Sequence, residues 1–280
     1  MDPFSQLLAG KVAIVTGVTS GLGEGCARVF AARGARVVGT GRRAERGRTL
    51  EAQIPNFRFV TADVARREDC ERTVVEAVSA FGQVDILINN AGTTGEIIVN
   101  PVHELDEQEW DRIVDANLKG ALFMARYALP HMRARKDGVI INIASINARI
   151  AVANMAAYNA SKAGLIQASH TMAVENLDRN IRVMAIILGG VGSETGDVTS
   201  LAFGRHILGD PNWRPQKPPS QHGLDRIWQP EHVARTLSML CHEDSQTITG
   251  STIAIDMGAS CGAWASAMIY MGAAGLLPGG

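Results

Sequence analysis

Along the chain, short and mostly apolar runs are separated by longer stretches whose apolar residues recur every three or four positions. The runs at 12–15, 36–38, 57–60, 84–88, 139–143, 181–187 and 252–255 predict strands. The stretches at 22–32, 44–53, 66–81, a long region ending at 135, one around Tyr158 and one at 231–240 predict helices. Strands with so little polar alternation are covered on both sides, so the chain is expected to form an α/β fold: a single doubly wound parallel sheet with helices on both faces. Such sheets take ligands outside the carboxyl ends of their strands, and functional residues are expected there.

The chemistry-bearing residues fall at those positions. Straight after the first predicted strand, Thr16 leads into Gly17, Val18, Thr19, Ser20, Gly21, Leu22 and Gly23, and then a helix. Glycines in such a turn let the backbone approach a phosphate and aim helix N-terminal amides at it, which suits a pyrophosphate. No Gly-Lys-Ser/Thr follows, which argues against ATP. Tyr158 and Lys162 lie four apart on one helix face, with Ser145 at a buried strand end upstream. An ammonium beside a phenol is expected to lower its pKa from about 10 towards neutrality.

This glycine spacing, with Asp63-Val64 after the third strand, Asn89-Asn90-Ala91-Gly92 after the fourth, Asn117, Ser145 and Tyr158-x-x-x-Lys162, resembles the short-chain dehydrogenase/reductase family, from about residue 11 to about 258. The resemblance implies a Rossmann fold and an NAD(P)-dependent oxidoreductase that interconverts a ketone and a secondary alcohol. It implies that Asp63 and Val64 lie at the adenine, that Asn90, Ala91 and Gly92 line the cofactor, and that Ser145, Tyr158 and Lys162 form the catalytic group. Asn117 would complete a water-linked proton relay through the lysine, and Tyr158 would be the general acid/base. Gly189, Val191 and Ser193 would meet the nicotinamide. Alternatives are a non-catalytic dinucleotide sensor, or reduction of a C=C bond or an acyl thioester on the same scaffold.

After the second strand, Gly41 occupies the place of the acid that would hold the adenosine ribose of NAD, and Arg42 follows it. An arginine can pair with a 2′-phosphate, so NADP(H) is expected over NAD(H). Leu188 stands where the family usually has proline, which is expected to loosen the turn beside the nicotinamide, and Met257 replaces a glycine near the last strand. Pocket walls are expected from residues 94–96 and 146–149, from Met155, and from a 189–229 loop or lid containing Phe203, Trp213 and Trp228, which suits a large, partly apolar substrate.

Bulk properties narrow the partners. With 280 residues and 46% hydrophobic content, one catalytic domain over residues 1–258 is expected, followed by an uncharged 259–280 tail packed on the core or at a subunit interface. The 27 basic residues against 28 acidic ones leave no field to draw in nucleic acid, so a small-molecule carbonyl or alcohol is the expected partner. Cys26, Cys70, Cys241 and Cys261 are scattered, as are the histidines, so no metal is expected and reduced thiols in the cytoplasm are. The N-terminus lacks the basic start and apolar run of a signal peptide, and glycines and Pro278 interrupt the apolar tail, so no membrane span is expected. Relatives imply a homodimer or homotetramer through the helices around 117–135 and 158–177.

Overall fold

The computed structural model describes residues 4–95, 100–189, 212, 229–256 and 258–261. Seven strands form one parallel sheet: β1 (Val12–Thr16), β2 (Arg36–Gly41), β3 (Phe57–Thr61), β4 (Ile86–Asn89), β5 (Gly138–Ile143), β6 (Ile181–Leu188) and β7 (Ser251–Ile255), in the order β3-β2-β1-β4-β5-β6-β7. Among the described residues seven α-helices accompany them: α1 (Gly21–Ala32), α2 (Ala44–Gln53), α3 (Arg67–Phe81), α4 (Glu107–Val114), α5 (Gly120–Arg135), α6 (Ala156–Glu175) and α7 (Pro230–Cys241). The expected doubly wound sheet is therefore present, and the chain reverses direction of strand addition between β1 and β4.

The inner strands β1, β4 and β5 read as largely apolar runs because both of their faces are buried, whereas the edge strands β3 and β7 are only partly covered. Ala13 and Val15 point into a core built with Cys26, Phe30, Leu50 and Leu237 of α1, α2 and α7. Ile14 points the other way, among Val74, Met124, Met132 and Met172 of α3, α5 and α6. At roughly 1.5–3 kcal/mol for each large side chain buried, these two layers are the main driving force for the fold.

The end of the sheet remote from the glycine turn is held by a buried carboxylate. Asp85, 2% exposed, accepts hydrogen bonds from the Val12 amide at 2.6 Å, Gln83 Nε2 at 2.7 Å and Arg135 Nη2 at 2.6 Å. Removing one partner of a buried pair leaves donors unpaired. Asp85→Ala is therefore expected to lower unfolding free energy by about 3 kcal/mol in urea titration, while the folded fraction keeps its ligand affinity.

The turn that Leu188 is expected to loosen lies, beyond Gly189, outside the described residues. Leu188 is the last residue of β6, in register with Ile255, and packs on the first core, while the Gly189 amide donates to Ile255 O at 3.1 Å. Leucine has the backbone N–H that proline lacks, so pairing runs to the strand end. Cys26, Cys70 and Cys241 are buried free thiols and Cys261 is an exposed one; burial pushes Cys70 and Cys241 up to about 12. Among the described residues no helix is long and apolar enough to cross a membrane, and no group of three or more His, Cys, Asp or Glu could hold a metal. Most of the 189–229 loop, including Val191, Ser193, Phe203, Trp213 and Trp228, lies outside the described residues, as do Glu96, Met257 and the tail from 262.

Candidate active site

The carboxyl ends of β1 and β4, the neighbours at the switch point, form a cradle. Gly17 has a φ of +74°, and its amide and that of Val18 donate to Thr40 O at 2.7 and 3.1 Å. A Cβ added at Gly23 would lie 2.1 Å from Gly17 O and 2.6 Å from Asn90 Nδ2, so only glycine lets the first turn of α1 sit this close to the strand end. Ser20 is the N-cap of α1 but its side chain makes no cap hydrogen bond, which leaves the amides at Gly21, Leu22 and Gly23 for an anion. Asn90 Nδ2 donates to Thr16 O at 2.9 Å, and the Thr16 hydroxyl accepts the Asn90 and Ala91 amides at 3.0 and 2.9 Å. This latch joins the two strand ends. The cradle fits a dinucleotide pyrophosphate, and Gly23→Ala is expected to weaken nicotinamide-dinucleotide binding by at least about tenfold in a fluorescence titration, because the added methyl displaces the turn.

Around the cradle the structure distributes the remaining expected residues. Asp63 follows β3; its Oδ1 accepts the Ala65 amide at 3.0 Å, and its own amide donates to Asp69 Oδ2 at 2.8 Å. Val64 is buried beside Gly120, the first residue of α5. Arg42 is exposed and makes no hydrogen bond or ion pair among the described residues. Its neighbour Arg43 folds back over the glycine turn, with Nε on Thr19 Oγ1 at 3.0 Å and Nη2 on Ser20 Oγ. Sequence reasoning placed only Arg42 at the cofactor, yet both arginines stand at this rim.

At the other end of the cradle, α6 carries Tyr158 and Lys162 up to the ends of β4 and β5. Ser145 follows β5 and is 8% exposed; its Oγ accepts the Asn147 amide at 3.2 Å and lies beside the half-buried Tyr158 phenol. Lys162 is 5% exposed, and its Nζ donates to Ile143 O at 2.8 Å and lies 5.9 Å from the Tyr158 ring centroid. Burial lowers the lysine to about 8. Burial also pushes the Tyr158 phenol above its ordinary value, with the Ser145 hydrogen bond acting the other way.

The expectation that the Lys162 ammonium lowers the phenol below its ordinary value is therefore corrected. Loss of hydration outweighs any attraction at this separation, and the ammonium is turned onto a backbone carbonyl. The result is a protonated phenol beside a serine hydroxyl.

Asn117 sits in a single π-helical turn (Asp115–Lys119) between α4 and α5, within the region whose sequence reads as one helix. Its Oδ1 accepts the Thr93 amide at 2.7 Å and its Nδ2 donates to Thr93 O at 2.9 Å and to Ser161 Oγ at 3.1 Å. Gly92 fits between it and the lysine: a Cβ there would lie 2.8 Å from Asn117 Oδ1 and 3.4 Å from Lys162 Nζ. Beside Tyr158 a groove opens, lined by Thr94, Leu105, Trp110, Ile113 and Met155. Thr94 and Met155 were expected there. Trp110 was not, since its position in an amphipathic helix gives no sign of the groove.

The comparisons with known proteins give the family and the fold. The short chain dehydrogenase family model matches residues 11–200. Over 259 residues the chain is 34% identical to the short chain dehydrogenase/reductase astE of Aspergillus oryzae, covering 90% of this chain and 96% of that one. Among solved structures, levodione reductase superposes with a TM-score of 0.81 at 25% identity, covering 91% of this chain and 99% of that one. A 3-ketoacyl-(acyl-carrier-protein) reductase from Brucella melitensis complexed with NADH gives 0.77 at 31% identity, covering 90% and 99%. A glycine cradle at the switch point, a Ser-Tyr-Lys cluster at the neighbouring strand ends and likeness over nine-tenths of the chain lead to one assignment: the protein belongs to the short-chain dehydrogenase/reductase family of NAD(P)-using oxidoreductases.

Proposed function

We propose that the protein is an NADP-preferring reductase and dehydrogenase that interconverts a ketone and a secondary alcohol, acting as one catalytic domain over residues 1–258. The observation that carries this reading is the Tyr158 phenol on the groove lining, beside Ser145 and with the buried Lys162 Nζ 5.9 Å from its ring. A nicotinamide held beside Tyr158 would supply or accept a hydride at the carbonyl carbon. In reduction the Ser145 hydroxyl donates a hydrogen bond to the carbonyl oxygen, and Tyr158 Oη delivers the proton that completes the alcohol. Oxidation runs these steps in reverse, with Tyr158 as base. Lys162 would hold the nicotinamide ribose and supply positive charge near the phenol once its Nζ turns from Ile143 O.

The glycine turn from Gly17 to Gly23 would hold the pyrophosphate, Asp63 and Val64 the adenine end, and Asn90, Ala91, Gly92, Gly189, Val191 and Ser193 the rest of the cofactor. The groove, which sets Trp110, Ile113 and Met155 beside Asn100, Asp106 and Glu109, suits a partly apolar ketone that also carries polar groups. The protein would work in the cytoplasm as a homodimer or homotetramer, with exposed Leu122 on α5 and Val174 on α6 available for burial.

The preference for NADP rests on exposed Arg42 beside Gly41, with Arg43 anchored on Thr19 to shape the same rim. Arg42→Ala is expected to weaken NADPH binding by about tenfold or more and to leave NADH unchanged, measured by cofactor fluorescence. Equal losses for both cofactors would remove the 2′-phosphate reading.

A further inference from the structure

Ser161 lies between Tyr158 and Lys162 in sequence and is 1% exposed, as is Asn117. Its hydroxyl donates to Tyr158 O at 2.8 Å and accepts Asn117 Nδ2 at 3.1 Å. The polarity of this chain follows from its ends. The Thr93 amide can only donate, so Oδ1 of Asn117 must face it and Nδ2 must face the other way. Tyr158 O can only accept, so the Ser161 hydrogen points to it and its lone pair takes the Asn117 amide.

We propose that Ser161 is a positioning residue: its hydroxyl fixes the Asn117 carboxamide, which clasps Thr93 at both backbone groups and holds the Gly92–Thr93 segment beside Lys162. The kinetic part of this inference rests on the reading that Tyr158 and Lys162 are the reactive pair. An alanine at 161 leaves one buried Nδ2–H without a partner in a cramped space, and the carboxamide is then free to release Thr93. Threonine keeps the hydroxyl.

The test compares the wild type with Ser161→Ala and Ser161→Thr by amide hydrogen exchange, which needs no substrate. Ser161→Ala is expected to speed exchange at Thr93 by about tenfold or more while Val12, pinned by Asp85 at the far end of the sheet, keeps its protection; Ser161→Thr should restore Thr93. On any ketone that the wild type reduces with NADPH, Ser161→Ala is expected to lower kcat about tenfold with KM within about twofold. In an Asn117→Ala background it should cause no further loss. Unchanged exchange at Thr93 would overturn the proposal. Equal loss of protection at Thr93 and Val12 would also overturn it, by reducing Ser161 to a general stability role, as would additive losses in the double variant. Absence of any ketone turnover by the wild type would count against the reductase reading alone, because the exchange arm still decides the role of Ser161.

Discussion

Replacing Tyr158 with phenylalanine is expected to reduce ketone turnover by about 10²–10⁴-fold, the usual contribution of a positioned general acid. NADPH affinity and thermal midpoint should stay close to wild type, since the ring is kept and only the hydroxyl facing Ser145 is lost. The pH dependence has a definite sign. Burial holds the phenol above its ordinary pKa, so it remains the proton donor throughout the neutral range and reduction should be flat there. Alcohol oxidation needs the deprotonated form and should rise with pH. Both trends should vanish in Tyr158→Phe, as steady-state rates in the two directions will reveal.

Lys162→Met is the second large effect, and it separates function from stability. Turnover is expected to fall by about 10²–10³-fold or more, because the charge near the phenol and its place at the cofactor both disappear. Stability should move the other way at neutral pH. The lysine titrates at about 8 in the fold against 10.5 for the ordinary side chain, so between those values the unfolded chain holds the extra proton and stability rises with pH. Below about 8 the buried ammonium costs its full penalty, on the order of 3 kcal/mol for a shift of this size. Methionine has no such penalty. Urea titrations should find the variant more stable than wild type at pH 7, with the gap closing as pH climbs through the 8–10.5 window. A gap that is constant with pH would contradict a buried, charged Lys162.

The architecture was largely legible because the inner strands are buried on both faces, which turns 12–15, 86–88 and 139–143 into runs that no helix period explains. The glycine turn and the Tyr158 and Lys162 spacing were legible for the same kind of reason, since local geometry alone puts those groups together. What escaped depends on distance between segments. The π-helical turn at Asn117 inserts one residue into a helix and leaves no mark on apolar periodicity. Arg43, not only Arg42, stands at the rim of the glycine turn because the chain after β2 folds back over Thr19. Ser161 is one of the unspecified positions inside the Tyr-Lys spacing and gains its meaning only when Asn117 arrives from another helix. The direction of the Tyr158 shift was misjudged because spacing reports proximity to Lys162 but not the loss of water around both groups.

The central claim is hydride transfer to a carbonyl carbon at the Tyr158 and Ser145 end of the groove. The most direct measurement incubates the protein with NADPH carrying deuterium at the transferable position and with bulky ketones, then locates the label in the product by mass spectrometry. The account predicts deuterium on the carbinol carbon with wild type, and its near absence with Tyr158→Phe at the same cofactor occupancy. Cofactor bound at full occupancy with no label passed to any ketone, or label passed equally by Tyr158→Phe, would contradict it.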